Sequence, residues 1–221
     1  MTEYLQHNRI KLALHTLRPG DGTPLLLLHG LGERSPDAVP GEFAGWPGPI
    51  HALDFTGHGA SQIPVGGGYT CELLMADADT ALLRLKSATV VGRGVGGYIA
   101  MLLAGARPEA MRGAIVLDGP GLAGGGTHAK NPYIPVVDTA QMAPPDPFAL
   151  ADLATDARPP SYAANFAMLA DMRSDLVHPI SVCAFEQPEW LAGVMSALNL
   201  EKVTLQEALQ RYIAQETATA S

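Results

Sequence analysis

Apolar and polar positions alternate from Ile10 to Leu17, the period-two pattern of a strand with one face in water near a sheet edge. The turn residues Pro19-Gly20-Asp21-Gly22 follow it. Four later runs are almost unbroken apolar sequence: Leu25 to His29, Ile50 to Phe55, Ala88 to Gly92 and Gly113 to Asp118. Runs of this kind fit parallel strands buried on both faces. Between them the period becomes helical. Thr70 to Lys86 carries apolar residues at helical spacing, with Thr70 placed to cap the first turn. Gly96 to Arg107 predicts a second helix, whose small residues Gly96, Gly97, Ala100 and Ala104 would let it lie close to a sheet.

The pattern breaks down between Gly119 and Pro160, where Gly124-Gly125-Gly126, Pro144-Pro145 and Pro159-Pro160 predict a loop or lid insertion. Regularity returns with a helix from about Tyr162 to Arg173, a strand from Ile180 to Phe185 and a helix around Glu189 to Leu198. A last helix starts at Thr204, where Thr204 and Glu207 can form a capping box, and runs towards Gln215. Strands alternating with helices imply an α/β fold with a mainly parallel central sheet and helices on both faces.

Composition narrows the partners. The chain has 221 residues, 47% of them hydrophobic and 16% charged, which suits one globular domain over residues 1–221 with residues 119–160 as its insertion. A net charge of −8 without a local run of Lys and Arg gives phosphate backbones and anionic membranes nothing to hold, so no nucleic acid and no membrane is expected as a partner. The start MTEYLQHNRIKLALH lacks a basic segment followed by an apolar core, and the expected location is the cytoplasm. Cys71 and Cys183 fall in a helical segment and a buried strand, and no metal-ligand spacing surrounds them. They read as reduced packing residues; no metal and no cofactor is expected.

Three motifs carry chemistry. LLLLHGLGE ends a strand in His29-Gly30, DFTGHGAS follows the next strand, and VVGRGVGGYIAMLLAG joins a strand, a sharp turn and a small-residue helix. In this order they resemble the α/β-hydrolase fold family of the esterase and lipase type, from about Ile10 to Gln215. The resemblance implies a nucleophile elbow, GxSxG, whose strained turn presents a serine. Here the elbow reads Gly92-Arg93-Gly94-Val95-Gly96, so the nucleophile position is Gly94. Glycine has no group with which to attack a carbonyl.

The resemblance also implies an acid after a late strand and a histidine after the last one. Glu186 or Glu189 could stand at the acid position, but no histidine follows His178. A single Ser→Gly change would leave that histidine in place. Two missing roles imply a noncatalytic or noncanonical member that takes a small-molecule ligand in the hydrolase-like pocket. Its ligand-binding residues would be His29, Gly30, Leu31, Arg93, Gly94 and Val95, with main-chain N–H groups near Leu31 and Val95 facing the ligand. His58 and Ser61 read as structural turn residues. An alternative is an active hydrolase or lyase with relocated groups, Asp118 as acid and His128 or His29 as base. Gly92, Gly94 and Gly97 also satisfy GxGxxG, with Asp118 somewhat beyond the spacing of roughly 20 residues for a ribose-binding acid, so NAD binding is a second alternative.

Overall fold

A computed structural model describes residues 1–125, 136, 138, 140–155 and 158–219, with backbone alone for 216–219. Seven strands form one sheet: β1 (Thr2–His7), β2 (Ile10–Arg18), β3 (Leu25–Leu28), β4 (Ile50–Leu53), β5 (Ala88–Arg93), β6 (Met111–Leu117) and β7 (Ile180–Val182). Their spatial order is β1-β2-β4-β3-β5-β6-β7. The strands from β4 to β7 in that order run parallel, while β1 pairs antiparallel with β2 and β2 with β4. The half-polar strand from Ile10 is therefore second from the edge, near it as its pattern predicts. The chain turns back at Asn8 and β1 lies outside it.

The helices are α1 (Cys71–Leu85), α2 (Val95–Ala106), α3 (Pro147–Asp152), α4 (Pro160–Arg173), α5 (Glu189–Leu198) and α6 (Leu205–Thr219). Thr70 Oγ1 accepts from Leu73 N at the start of α1, and Thr204 and Glu207 exchange the capping-box bonds at the start of α6. The expected insertion is not wholly irregular, because Asp146 caps α3 within it.

Alternation inside β3 splits the core into two layers. Leu26 and Leu28 face the layer built with α1, α2, α4 and α5, while Leu25 and Leu27 face Phe43, Trp46 and Tyr212 under α6. Helix α2 is buried from Val95 to Gly105, and Gly105 approaches the backbone of Phe166 on α4. The strand expected to reach Phe185 pairs only as far as Val182, since Asp118 holds the amides of Phe185 and Glu186 at 2.7 and 2.8 Å. Beyond β7, one bridge from Val182 to Lys202 stands where a further strand would lie, and the chain passes from there directly into α6. Among the described residues, no helix is long and apolar enough to cross a membrane.

Candidate active site

Strand β5 ends in a sharp turn at Gly94, which has φ +50° and ψ −118° and opens α2. Most side chains are strained in that conformation, and glycine is not. The flanking glycines answer to space. A Cβ at Gly92 would lie 2.1 Å from the Gly96 carbonyl oxygen, and one at Gly96 would lie 2.6 Å from the carbonyls of Leu28 and His29. The turn thus fits between β3, β5 and α2 only with glycine at both positions.

The main-chain N–H groups that such a turn offers to a substrate oxygen are both spent. Leu31 N donates to the carbonyl oxygen of Pro120 at 2.9 Å, and Val95 N donates to the same oxygen at 3.1 Å. That oxygen also lies 2.2 Å from where a Cβ on Gly94 would stand, with the Gly119 carbonyl carbon at 2.5 Å. The chain after β6 therefore fills both the nucleophile's place and the oxyanion's. The cavity left beside Gly94, between Asp118, Glu186 and Trp190, measures only about 20 Å³.

The two acids beside this plug are committed to main-chain groups. Asp118 accepts from Phe185 N and Glu186 N, and Glu186 Oε2 accepts from Gly125 N at 2.8 Å. Leu122 N, with φ +47°, donates to Leu153 O at 2.7 Å, which ties the loop to the end of α3. Glu189 lies exposed in the first turn of α5. Asp118 and Glu186 thus come together near Gly94, while Glu189 stays at the surface.

Among the described residues, the histidines His29 and His58 near the site are neutral structural groups. His29 donates from Nδ1 to Gly30 O at 2.7 Å and accepts on Nε2 from Phe55 N at 3.1 Å. Burial holds its pKa below the ordinary value. His58 accepts on Nε2 from Gly32 N and donates from Nδ1 to Thr56 O, and burial pushes its pKa down to about 3. With both ring nitrogens bonded, His29 has none left to act as a relocated base. His128 lies outside the described residues. Ser61 is also committed, donating to Asp54 O and accepting from Ala13 N.

Arg93 points away from the plug, onto Glu33. Its Nε and Nη2 donate to the two carboxylate oxygens at 3.1 and 2.9 Å, and Glu33 also accepts from Gly30 N at 2.9 Å. The Arg93 hydrogen bond and the Gly30 N–H hold the Glu33 carboxyl below its usual range against the cost of its burial. The roomier cavity, about 370 Å³, lies on this side of β5. Nothing in the sequence marked the Pro120 carbonyl. The one available signal was a Gly-Pro-Gly run directly after a buried strand, which forces the backbone to turn at the strand's end.

A profile of the alpha/beta hydrolase family matches residues 25–216. This chain belongs to the alpha/beta hydrolase family. Among solved members of the fold, a bacterial membrane phospholipase A is 17% identical over 97% of this chain and 84% of its own, with a TM-score of 0.55, a likeness of fold alone. An N-acyl homoserine lactone degrading enzyme, Est816, is 27% identical over 55% of this chain and 47% of its own, with a TM-score of 0.45. The epoxide hydrolase of Bacillus megaterium is 28% identical over 53% and 42%, with the same score. This hydrolase-family chain thus spans less than half the length of those two enzymes. Comparison with curated proteins finds no match.

Proposed function

We propose that this alpha/beta hydrolase family member is catalytically silent as an ester hydrolase and acts as a binding protein. The observation that carries the reading is the Pro120 carbonyl oxygen, held by the N–H groups of Leu31 and Val95 over Gly94. A serine hydrolase needs a hydroxyl to attack and two donors for the oxyanion that results. Here the attacking group is absent and the donors already serve an uncharged acceptor of the chain itself.

No general base is in place at the site among the described residues. Among the described residues no histidine has a free ring nitrogen near Gly94, and the stretch from Lys202 to Thr204 supplies none. Of the relocated pairs, that with His128 lies outside the described residues, and Asp118 with His29 finds no support, because each is spent on main-chain groups. Nor does dinucleotide binding. Val95 N at the start of α2, where a phosphate would be held, donates to Pro120, and the Asp118 carboxylate faces the β7 exit.

Fluorophosphonate labelling and turnover of p-nitrophenyl esters by the purified chain test the reading. It expects no adduct and no rate above that of an unrelated protein at equal concentration. Stoichiometric labelling, at Ser61 or any other serine, would overturn it.

A further inference from the structure

In an open α/β sheet, ligands bind outside the carboxyl ends of the strands, at the point where the strand order reverses. In this sheet the chain runs from β3 outward to β4, then returns to add β5 on the other side of β3. The reversal lies between β3 and β5. The 370 Å³ crevice opens at that point, with Leu27 from β3, Val91 and Arg93 from β5 and Leu117 from β6 in its walls. It exists because two connections are short. Residues 32–49 form no helix beyond the single turn Gly41–Phe43, and the chain leaves the Lys202 bridge directly into α6, so neither covers these strand ends.

Beside Glu33 the polar valence left unspent is that of a donor. Both oxygens of Glu33 are used, by Arg93 and by Gly30 N. Arg93 uses Nε and Nη2 on Glu33, and its Nη1 has no hydrogen bond among the described residues. Buried Ser35 lines the same crevice; its N–H is spent on Asp54 at 2.7 Å. Its hydroxyl is buried and helps to keep the Asp54 carboxyl low, so it is not a donor to the crevice. Arg34 is clamped on Asp37, Glu33 is ion-paired with Arg93, and exposed Glu42 is a second carboxylate at the wall that would repel an anion. An apolar floor with a fixed guanidinium at one end matches a ligand with an apolar body and one anionic acceptor.

We propose that this switch-point crevice is a ligand site for a small apolar monocarboxylic acid, whose carboxylate sits on Arg93 and whose body covers Leu27, Val91 and Leu117. The site lies on the other side of β5 from the plugged turn and stands whether or not Gly94 is silent. The test is calorimetric titration of the full chain with octanoate, 1-octanol and octylamine, together with amide NMR to locate the bound ligand. Octanoate is expected to bind one to one, at least tenfold tighter than the alcohol, with shifts at Leu27 and Val91. Arg93→Gln is expected to remove that preference, and Leu117→Trp to remove binding by filling the floor. Equal binding of the three probes, absence of octanoate binding, shifts centred on Gly121 and Trp190, or octanoate affinity unchanged in both folded variants would overturn the proposal. Ester turnover is not part of the readout, so failure here and failure of catalytic silence are separate results.

Discussion

The carbonyl oxygen of Pro120 lies 3.1 Å from the amide nitrogen of Val95, on the spot that the backbone of a hydrolase elbow reserves for a substrate's oxygen. The same oxygen is 2.2 Å from the Cβ position of Gly94. The bare Gly94 and the filled turn are therefore one steric arrangement: a side chain at residue 94 and the plug cannot occupy the site together.

Gly94→Ser tests that coupling. Read from the sequence, the substitution restores a hydroxyl that only lacks a base. In the structure it must also displace Gly119 and Pro120 and hold a side chain at φ +50°. The expected cost is about 2–4 kcal/mol, from backbone strain and overpacking together, and no esterase activity appears. Urea denaturation measures the cost. An unchanged midpoint would show that the plug yields freely.

Asp118 separates a capping role from a catalytic one. Removing its carboxylate in Asp118→Ala strips the acceptor from Phe185 N and Glu186 N and is expected to destabilise by roughly 1–3 kcal/mol, with faster proteolysis after residue 119. An Asp118→Ala protein of unchanged stability that has lost a measurable turnover would make Asp118 a catalytic acid.

Buried histidines contribute to the acid side of the stability profile. The folded His58 ring is held down to about 3 by burial, while the unfolded ring takes a proton near 6.5. The unfolded chain thus binds more protons between these values, so this contribution is complete above about pH 6.5 and is lost as pH falls towards 3. His29 acts in the same direction. His7 has the opposite sign: its hydrogen bond to Asp77, at 2.6 Å, raises its pKa, so its contribution is full below about 6.5 and is lost as pH rises through the folded value. Unfolding free energy measured from pH 4 to 8 is expected to rise with pH more gently in His58→Gln than in the parent. An identical slope would contradict the assignment.

Much of the fold was legible because it rests on short-range chemistry. The apolar runs became β3 to β6, Thr70 and Thr204 became caps, and the glycines at 92 and 96 stand where neighbouring backbone leaves no room for Cβ. What could not be read depends on where distant segments meet. Asp118 had the residue type and position of an acid, and only the return of β7 beside it turned it into a cap for Phe185 and Glu186. Arg93 had the position of an anion contact at the elbow, and its pairing with Glu33 brings together residues 60 positions apart. The Pro120 carbonyl is singled out by no residue type, since every residue has one, and only the Gly-Pro-Gly run around it signals a turn.

Amide hydrogen exchange at Val95 and Leu31 tests the plugged site most directly, because it reads the two donors themselves. With Pro120 accepting from both, the account predicts protection equal to that of interior α2 amides such as Met101. Exchange of these two amides at the rate of exposed loop amides such as Gly66 would contradict it.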